Sequence, residues 1–425
     1  MTVEYLTGDS LETMRSLPDD SVDLSACSPP FLALRNYNDL DGQWGSEPTP
    51  ADFLRNLLNL ATETRRVLAP HGSLAWELGD TYSGKSGWGD DKGTTRYPNG
   101  RGVTSSESKP SASGPGWPLS KSLTGVPTLF AWSLAYGRNL LDPTQTFEPW
   151  RIRNIIVWAR SNPPVGALGD KVRPATSYIT VATPSAKRWF DLDAVRTAHK
   201  FPNDDRSNRA SIKTADRSTE RLGAVLSNGG NPAGAPPTDY WTDEYDAADL
   251  TWLVNSQPSK LAHYAMWPPK LAERLILSMS PREVCNSCGE PRRRITGKAE
   301  YVKTSDGKIT NGDAAWRSGR RGADNSKQDQ RNDISCTRNA PTIGWSTCEC
   351  EDPDYRAGVV LDAFAGTGTT LAVADLHDRD AIGIDLDPNN PTLYDARRKE
   401  VKRALFGFKD ENIAGQASLF GGDAA

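Results

Sequence analysis

The chain has 425 residues, 37% of them hydrophobic, with a formal net charge of −4 and a mean hydropathy of −0.59. This length exceeds one typical domain and can bury a large core, and no apolar run approaches the ~18 residues that a membrane span requires. The first residues lack a basic region followed by an apolar one, so no signal peptide is predicted and an intracellular, cytoplasmic protein is expected.

Positive charge is unevenly distributed along the chain. Residues 291–345 hold twelve Lys and Arg against six Asp and Glu, although the chain as a whole is acidic. A local basic segment in an acidic protein suits a surface that follows a phosphate backbone, and it suits an ordinary solvated face equally well.

The first 82 residues show the pattern of a βαβ unit. A strand is predicted to end at Tyr5-Leu6, and Gly8-Asp9-Ser10-Leu11 begins a short helix. The apolar run from Val22 to Cys27 predicts a buried strand. An amphipathic helix is expected over 51–68 and a further strand over 72–80, because apolar residues recur at helical spacing in the first range and continuously in the second.

A tetrapeptide, Ser28-Pro29-Pro30-Phe31, directly follows the strand that ends at Cys27. Proline cannot donate to a sheet ladder, so the strand must stop there. The tetrapeptide then presents a hydroxyl, a proline carbonyl and an aromatic ring at the carboxyl edge of the sheet, where open α/β sheets bind ligands. A proline-terminated strand and turn without a catalytic role fits the same residues.

Ser-Pro-Pro-Phe resembles the catalytic motif of the DNA amino-methyltransferase family, which uses S-adenosylmethionine. The resemblance implies a prokaryotic or phage-type setting, and it implies that the Ser28 hydroxyl and the Pro29 carbonyl accept hydrogen bonds from the amine of a flipped base, while Phe31 stacks on that base. The serine form of the motif is most typical of cytosine-N4 members. Cytosine N4 in duplex DNA is therefore the expected target, with adenine N6 as the alternative and a non-catalytic DNA-binding module as a further one.

Cys27 raises the question of covalent carbon-5 chemistry. Enzymes of that type use a Pro-Cys dipeptide, which is absent here. Cys27 is therefore interpreted as part of the strand's core face.

The middle of the chain alternates between regular and irregular stretches. Residues 83–125 are rich in Gly, Ser, Lys and Pro and predict a mobile or DNA-facing loop. A helix is expected over 129–141, and strands over 151–160 and 173–181. Residues 200–258 are polar and are interpreted as an insertion that carries target recognition, with a disordered surface loop as the alternative.

The C-terminal half carries a strand, a glycine-containing turn, a helix and a second strand. Val359–Phe364 predicts the first strand, 371–376 the helix and 381–385 the second strand, which ends in Asp385. Glycines in such a turn let backbone N–H groups approach a ligand, and an acidic residue about 20 positions later can hold a ribose diol. Leu371 occupies the place of the third glycine of the dinucleotide fingerprint, which argues against NAD.

Phe364-Ala-Gly-Thr-Gly-Thr-Thr370 resembles the S-adenosylmethionine loop of the same family. Asp9 resembles the residue that contacts the adenine, although a helix N-cap explains it equally well, and His263 resembles the contact to the methionine end. The catalytic strand precedes the cofactor strand, as in the permuted β-type members. The cofactor-binding residues implied are Asp9, His263, Asp362, Phe364, Gly366, Gly368, Thr369, Thr370 and Asp385.

Four cysteines form two closely spaced pairs, Cys285/Cys288 and Cys348/Cys350. Cys-x2-Cys and Cys-x-Cys are chelating pairs, and they predict a structural zinc site. Reduced surface thiols are the alternative, and Cys336 is a possible substitute ligand.

The predicted fold is α/β: a doubly wound, Rossmann-like methyltransferase sheet, permuted, with inserted recognition segments and a small zinc-binding insertion. The expected partner is double-stranded DNA, a cognate restriction nuclease is a candidate second partner, and no membrane association is expected. The predicted segments are 1–82 and 126–199 (catalytic half of the sheet), 83–125 (loop), 200–258 (recognition insertion), 259–282 (cofactor-side segment and helix), 283–354 (zinc-binding basic insertion), 355–406 (S-adenosylmethionine-binding half) and 407–425 (tail).

Overall fold

The computed structural model describes residues 1–34, 40–84, 112–160, 172, 174–196, 267–297, 300–303, 336–339 and 342–407. The predicted recognition insertion at 200–258, His263, most of the 83–125 loop and nearly all of the 407–425 tail lie outside the described residues. Within the described ranges, no helix combines the length and apolar character needed to cross a membrane.

Seven strands of the described chain form one sheet, flanked by helices. The sheet strands are β1 (Val3–Thr7), β2 (Val22–Cys27), β3 (Leu68–Leu78), β4 (Arg151–Ala159), β5 (Thr176–Thr183), β12 (Val359–Asp362) and β13 (Asp380–Asp385). The helices are α1 (Ser10–Arg15), α2 (Pro50–Val67), α3 (Val126–Tyr136), α4 (Pro269–Met279), α5 (Thr369–Leu376) and α6 (Tyr394–Phe406). Short 3-10 helices cover Asp193–Val195 and Asn390–Leu393.

Shorter strands between α4 and β12 pair two by two, apart from the main sheet. These strands are β6 (Glu283–Cys285), β7 (Arg294–Thr296), β8 (Glu300–Lys303), β9 (Cys336–Asn339), β10 (Thr342–Trp345) and β11 (Tyr355–Ala357). β6 pairs with β11, β7 with β10 and β8 with β9, all antiparallel.

The main sheet has the order β1-β13-β12-β2-β3-β5-β4. The first five strands in this order are parallel, whereas β5 runs antiparallel to β3 and to β4. The predicted α/β class is confirmed, and the sheet is mixed. The central pairing joins distant parts of the chain, because Leu24 of β2 lies opposite Val360 of β12. As a result, β12, β2 and β3 end side by side at one edge.

Successive residues of the central strands contribute to two different cores. Cys27, Trp76 and Leu361 pack with helices α1, α2 and α3 on one face of the sheet. Leu24 and Val360 pack with helices α4, α5 and α6 on the other. Because side chains alternate along a strand, buried residues at neighbouring positions require helices on both faces.

Some predicted boundaries are wrong. The helix expected over 129–141 spans Val126–Tyr136, because Gly137 adopts a left-handed conformation (φ +64°) and ends it. The strand expected to begin at residue 72 begins at Leu68, directly after α2. The strand expected over 173–181 spans Thr176–Thr183, consistent with Pro174 having no N–H for a ladder.

Candidate active site

Ser28 lies just beyond the end of β2 and is hydrogen-bonded to a buried acid on the neighbouring strand. Its hydroxyl donates to Oε2 of Glu77 at 2.5 Å. Glu77 is 2% exposed, and burial raises the pKa of its carboxyl above the usual range. Its second oxygen, Oε1, accepts no hydrogen bond among the described residues, although the nearby Ser177 hydroxyl acts against the rise in the Glu77 pKa. The tetrapeptide therefore begins with a hydroxyl whose proton is directed toward the carboxyl group of Glu77.

The rest of the tetrapeptide is fixed by close packing. Pro29 is buried, and Ser28, Pro30 and Phe31 are half-buried. The Phe31 ring lies directly against Gly79, where an added Cβ would come within 2.4 Å of ring atom Cε2. A side chain at Gly79 would therefore displace the ring that was predicted to stack on a base.

Cys27 is completely buried in the sheet, as expected of a core residue. Burial raises the pKa of its thiol well above the ordinary value, and the nearby carboxyl of Asp362 acts in the same direction. Because the thiolate is the nucleophilic form of cysteine, this thiol is unsuited to covalent catalysis.

Asp362, at the end of β12, holds both ends of the glycine-containing turn. Its Oδ1 accepts from the Phe364 N–H at 3.0 Å, and its Oδ2 accepts from the Thr370 hydroxyl at 2.5 Å. That hydroxyl in turn accepts from the indole N–H of Trp267 at 3.1 Å. Burial raises the pKa of Asp362 to about 7. Asp362 and Thr370 thus fix the two ends of the turn through buried hydrogen bonds.

The two turn glycines adopt left-handed conformations, with φ of +53° at Gly366 and +85° at Gly368. A Cβ at Gly368 would lie 2.6 Å from Cδ2 of Tyr394, so glycine is required there by space as well as by conformation. Thr369 is buried and its hydroxyl accepts from Nε of Arg397 at 3.0 Å. Thr369 therefore anchors α5 to α6.

Asp385 connects the turn to the next loop. Its Oδ2 accepts from the Gly366 N–H at 2.8 Å, while its Oδ1 accepts from the Asp387 N–H at 2.9 Å and from Nδ2 of Asn390 at 2.8 Å. A carboxylate has about four lone-pair positions, so three bonds leave room for one more. The residue is half-buried, in keeping with a further ligand contact.

Asp9 and Phe364 are brought together by a residue that the sequence analysis did not single out. Asp9 Oδ1 caps α1 by accepting from the Glu12 N–H at 3.0 Å, and its Oδ2 accepts from the Trp44 indole at 3.3 Å. Trp44 also packs edge-on against Phe364, with ring centroids 5.2 Å apart. The N-cap interpretation of Asp9 is thus observed, and Trp44 links it to the cofactor turn.

Ser28 and the described cofactor candidates come from strands that meet at one edge of the sheet, whereas His263 lies outside the described residues. Three contributors were missed: Glu77, Trp44 and Trp267. Glu77 had a detectable signal, since an acid within the apolar run Leu74-Ala-Trp-Glu-Leu78 is costly unless it is paired. The four paired cysteines lie together at a separate place, considered below.

Comparison with known proteins gives the family. A DNA methylase family model of the N6/N4 type matches residues 22–285 and 344–392, more than half of the chain. The type II methyltransferase M.Cfr9I of Citrobacter freundii is 32% identical over 274 residues, which is 64% of this chain and 70% of that protein. M.SmaI of Serratia marcescens is 24% identical over 280 residues, covering 65% of this chain and 75% of that protein.

Among solved structures, a PvuII DNA methyltransferase described as cytosine-N4-specific aligns with a TM-score of 0.42 at 14% identity, covering 96% of this chain and 95% of that chain. The family assignment rests on the extent of the family-model match and on the 32% identity to M.Cfr9I, and it agrees with the tetrapeptide and the glycine turn found in the sequence. The chain belongs to the DNA amino-methyltransferase family.

Proposed function

We propose that this protein methylates the exocyclic N4 amine of a flipped cytosine at a specific site in duplex DNA. The observation that carries the proposal is the Ser28 hydroxyl, hydrogen-bonded to the buried Glu77 and placed one strand away from the glycine turn of β12. Serine rather than an acid at this position favours cytosine N4. Adenine N6 is the second candidate, within the same family.

The chemistry needs acceptors because the cytosine amine is conjugated with its ring and is a poor nucleophile. Since the Ser28 proton is directed to Glu77, the Ser28 oxygen keeps its lone pairs free to accept an amine N–H. The Pro29 carbonyl supplies a second acceptor, and Phe31 supplies a stacking face. Acceptors that are fixed in this way hold the amine hydrogens, so that the nitrogen lone pair points toward the methyl carbon.

Proton transfer completes the reaction, because the amine nitrogen gains a methyl group and must lose one hydrogen as a proton. Ser28 can pass that proton to Glu77, whose raised pKa makes its carboxylate a better acceptor than an ordinary glutamate. The base has to leave the duplex stack before its amine can reach Ser28.

S-adenosylmethionine fits the residues around the turn and, when bound, supplies the methyl group. Gly366 and Gly368 both have positive φ, a side chain at Gly368 would collide with Tyr394, and Asp385 retains an acceptor position suited to a ribose hydroxyl. Asp9, Trp44 and Phe364 would border the adenine. His263 is proposed for the methionine end.

The permuted β-type order is also proposed, since the catalytic strand β2 precedes the cofactor strand β12 in the chain. Target recognition is assigned to the 200–258 insertion, and a restriction nuclease with the same target is proposed as a partner. The type II methyltransferase names of the relatives support this setting.

The decisive measurement is nucleoside analysis by mass spectrometry of DNA from cells that express the protein, with cells expressing Ser28→Ala as the matched control. N4-methylcytosine, present with the wild type and strongly reduced with the variant, is expected. N6-methyladenine would establish the alternative, and 5-methylcytosine would overturn the mechanism. Incubating purified protein with duplex DNA, RNA or neither then identifies the substrate class.

A further inference from the structure

Four cysteines from two distant segments meet at the base of the basic insertion. The Sγ atoms of Cys285, Cys288, Cys348 and Cys350 all lie within 4.8 Å of one another, and those of Cys285 and Cys350 are 3.9 Å apart. Zinc binds thiolates at about 2.3 Å in tetrahedral geometry, which places the sulfur atoms about 3.8 Å apart. The sulfur spacing therefore matches a tetrathiolate site and is too long for a disulfide bond.

The first chelating pair has the local geometry of a tight turn. Gly289, with φ of +71°, follows this pair, and its N–H donates to the Cys285 carbonyl at 2.9 Å. The second pair is held beside β11, because the sulfur of Cys348 lies 3.8 Å from the hydroxyl oxygen of Tyr355. Both pairs are therefore positioned by contacts that do not involve a metal.

Burial does not explain why these side chains converge. Cys285 is buried, but Cys288 is exposed and Cys348 and Cys350 are half-buried. A cysteine that acts as a small hydrophobe is expected in a core, as Cys27 is. The convergence of four sulfurs, three of which belong to residues that are not buried, calls for a ligand at their centre.

We propose that these four cysteines bind one structural zinc ion in a closed site. All four positions of the tetrahedron are filled by protein, so no position remains for a substrate or an activated water. This inference goes beyond the proposed methylation, and its test does not depend on that activity.

The site ties the insertion to the catalytic sheet. Cys285 lies on β6, which pairs with β11, and Arg356 of β11 contacts Asp23 of β2 at 2.6 Å. Asp23 is fully buried and also binds His71, at 2.7 Å. Strands β7 and β10 pair with each other on either side of residues 297–341. Arg292, just before β7, donates to Glu283 of β6 and to the Ser346 carbonyl just after β10. Zinc would therefore fix the origin of this basic segment relative to the strand that carries Ser28.

The test is metal analysis of the full-length protein purified without chelators, by inductively coupled plasma mass spectrometry. About one zinc per chain is expected in the wild type and in Cys336→Ser, the matched control, with a large loss in Cys288→Ser. Cobalt substitution of the wild type should give the visible absorption of a tetrahedral tetrathiolate. Cys288 is exposed, so its replacement by serine leaves no cavity in the core. The zinc content of the wild type decides the proposal even if this variant does not fold.

Four results would overturn the proposal: no metal together with four freely reactive thiols, a disulfide between any two of the cysteines, iron in place of zinc, or a metal content lost in Cys336→Ser and kept in Cys288→Ser. None of these four results requires a methylation assay. Loss of zinc without loss of methylation would leave both proposals intact, whereas inactive protein with one zinc per chain would count against the proposed function alone.

Discussion

Glu77 and Asp362 are two buried acids at the ends of the strands on either side of β2, and they are used differently. Each is 2% exposed, and burial raises the pKa of both. Asp362 is bonded through both oxygens, to the Phe364 N–H and the Thr370 hydroxyl. Glu77 is bonded through one oxygen to Ser28, and its other oxygen has no partner among the described residues.

Under the proposed mechanism, this difference separates an acid that shapes the fold from an acid that takes part in the reaction. A buried polar atom without a partner costs roughly 1–3 kcal/mol, and such a cost is commonly retained where function requires it. Both oxygens of Asp362 are used in shaping the glycine-containing turn. Glu77 retains acceptor capacity beside Ser28, the hydroxyl that the proposed mechanism uses.

The largest expected effect is on turnover, in Glu77→Gln. We expect methyl transfer to fall by about 10²–10³, the usual loss when one preorganised electrostatic contact is removed, with S-adenosylmethionine affinity retained. Wild-type turnover should rise with pH through the raised pKa of Glu77, because the ionised form accepts the Ser28 proton, and the variant should lack this rise. Single-turnover kinetics across pH measure both.

The Ser28→Ala variant provides the internal check. If Glu77 acts through Ser28, the double variant should be no slower than Ser28→Ala alone, since residues that work as a unit are not additive. Ser73→Ala, which removes a buried β3 hydroxyl with no partner among the described residues, should keep full turnover. Additive losses would show that Glu77 does not act through Ser28.

A smaller effect is expected on cofactor affinity in Gly368→Ala. A left-handed conformation costs a non-glycine residue about 1–2 kcal/mol, and here the new Cβ also collides with Tyr394. Displacement of the turn should weaken S-adenosylmethionine binding about tenfold or more by calorimetry. Gly407→Ala also places alanine at a positive φ (+73°), but in an open environment far along the chain from the turn, and its affinity should be unchanged. Equal affinities in the two variants would contradict the assignment of the turn.

The smallest effect is a shift of thermal stability in Asp362→Asn. Because the folded-state pKa of Asp362 is about 7, above the usual carboxyl value of 3.8, the folded protein binds more protons than the unfolded chain between these pH values. Wild-type stability therefore falls as pH rises through that window. The difference in melting temperature, variant minus wild type, should therefore increase by a few degrees between pH 5 and pH 8. A difference independent of pH would show that Asp362 is ionised throughout.

The features that could be predicted from sequence are those encoded locally. The apolar run before Ser28, the helix 51–68 and the turn around Gly366 are each recognisable within one short, continuous segment of sequence, and all three are close to their expected bounds. The family followed from such local motifs. The roles of the individual site residues remain predictions.

The features that were missed depend on contacts between distant segments. Glu77, Trp44 and Trp267 gain their significance only when β3, the loop after β2 and the segment before α4 meet Ser28, Asp9 and Thr370. The antiparallel direction of β5 was equally hidden, because a run of apolar residues carries no information about strand direction. The conformation of Gly137 set a helix boundary that apolar spacing alone had extended.

The central pairing of β2 with β12 has a consequence for how the chain folds. Asp23 and the Val359 N–H, which are hydrogen-bonded at 2.7 Å, are 336 residues apart. Contacts of such long sequence separation form slowly. During synthesis, β2 has a free edge until β12 emerges, and free edges invite pairing with other chains. The strand that precedes Ser28 therefore keeps one edge unpaired until nearly the whole chain has been synthesised.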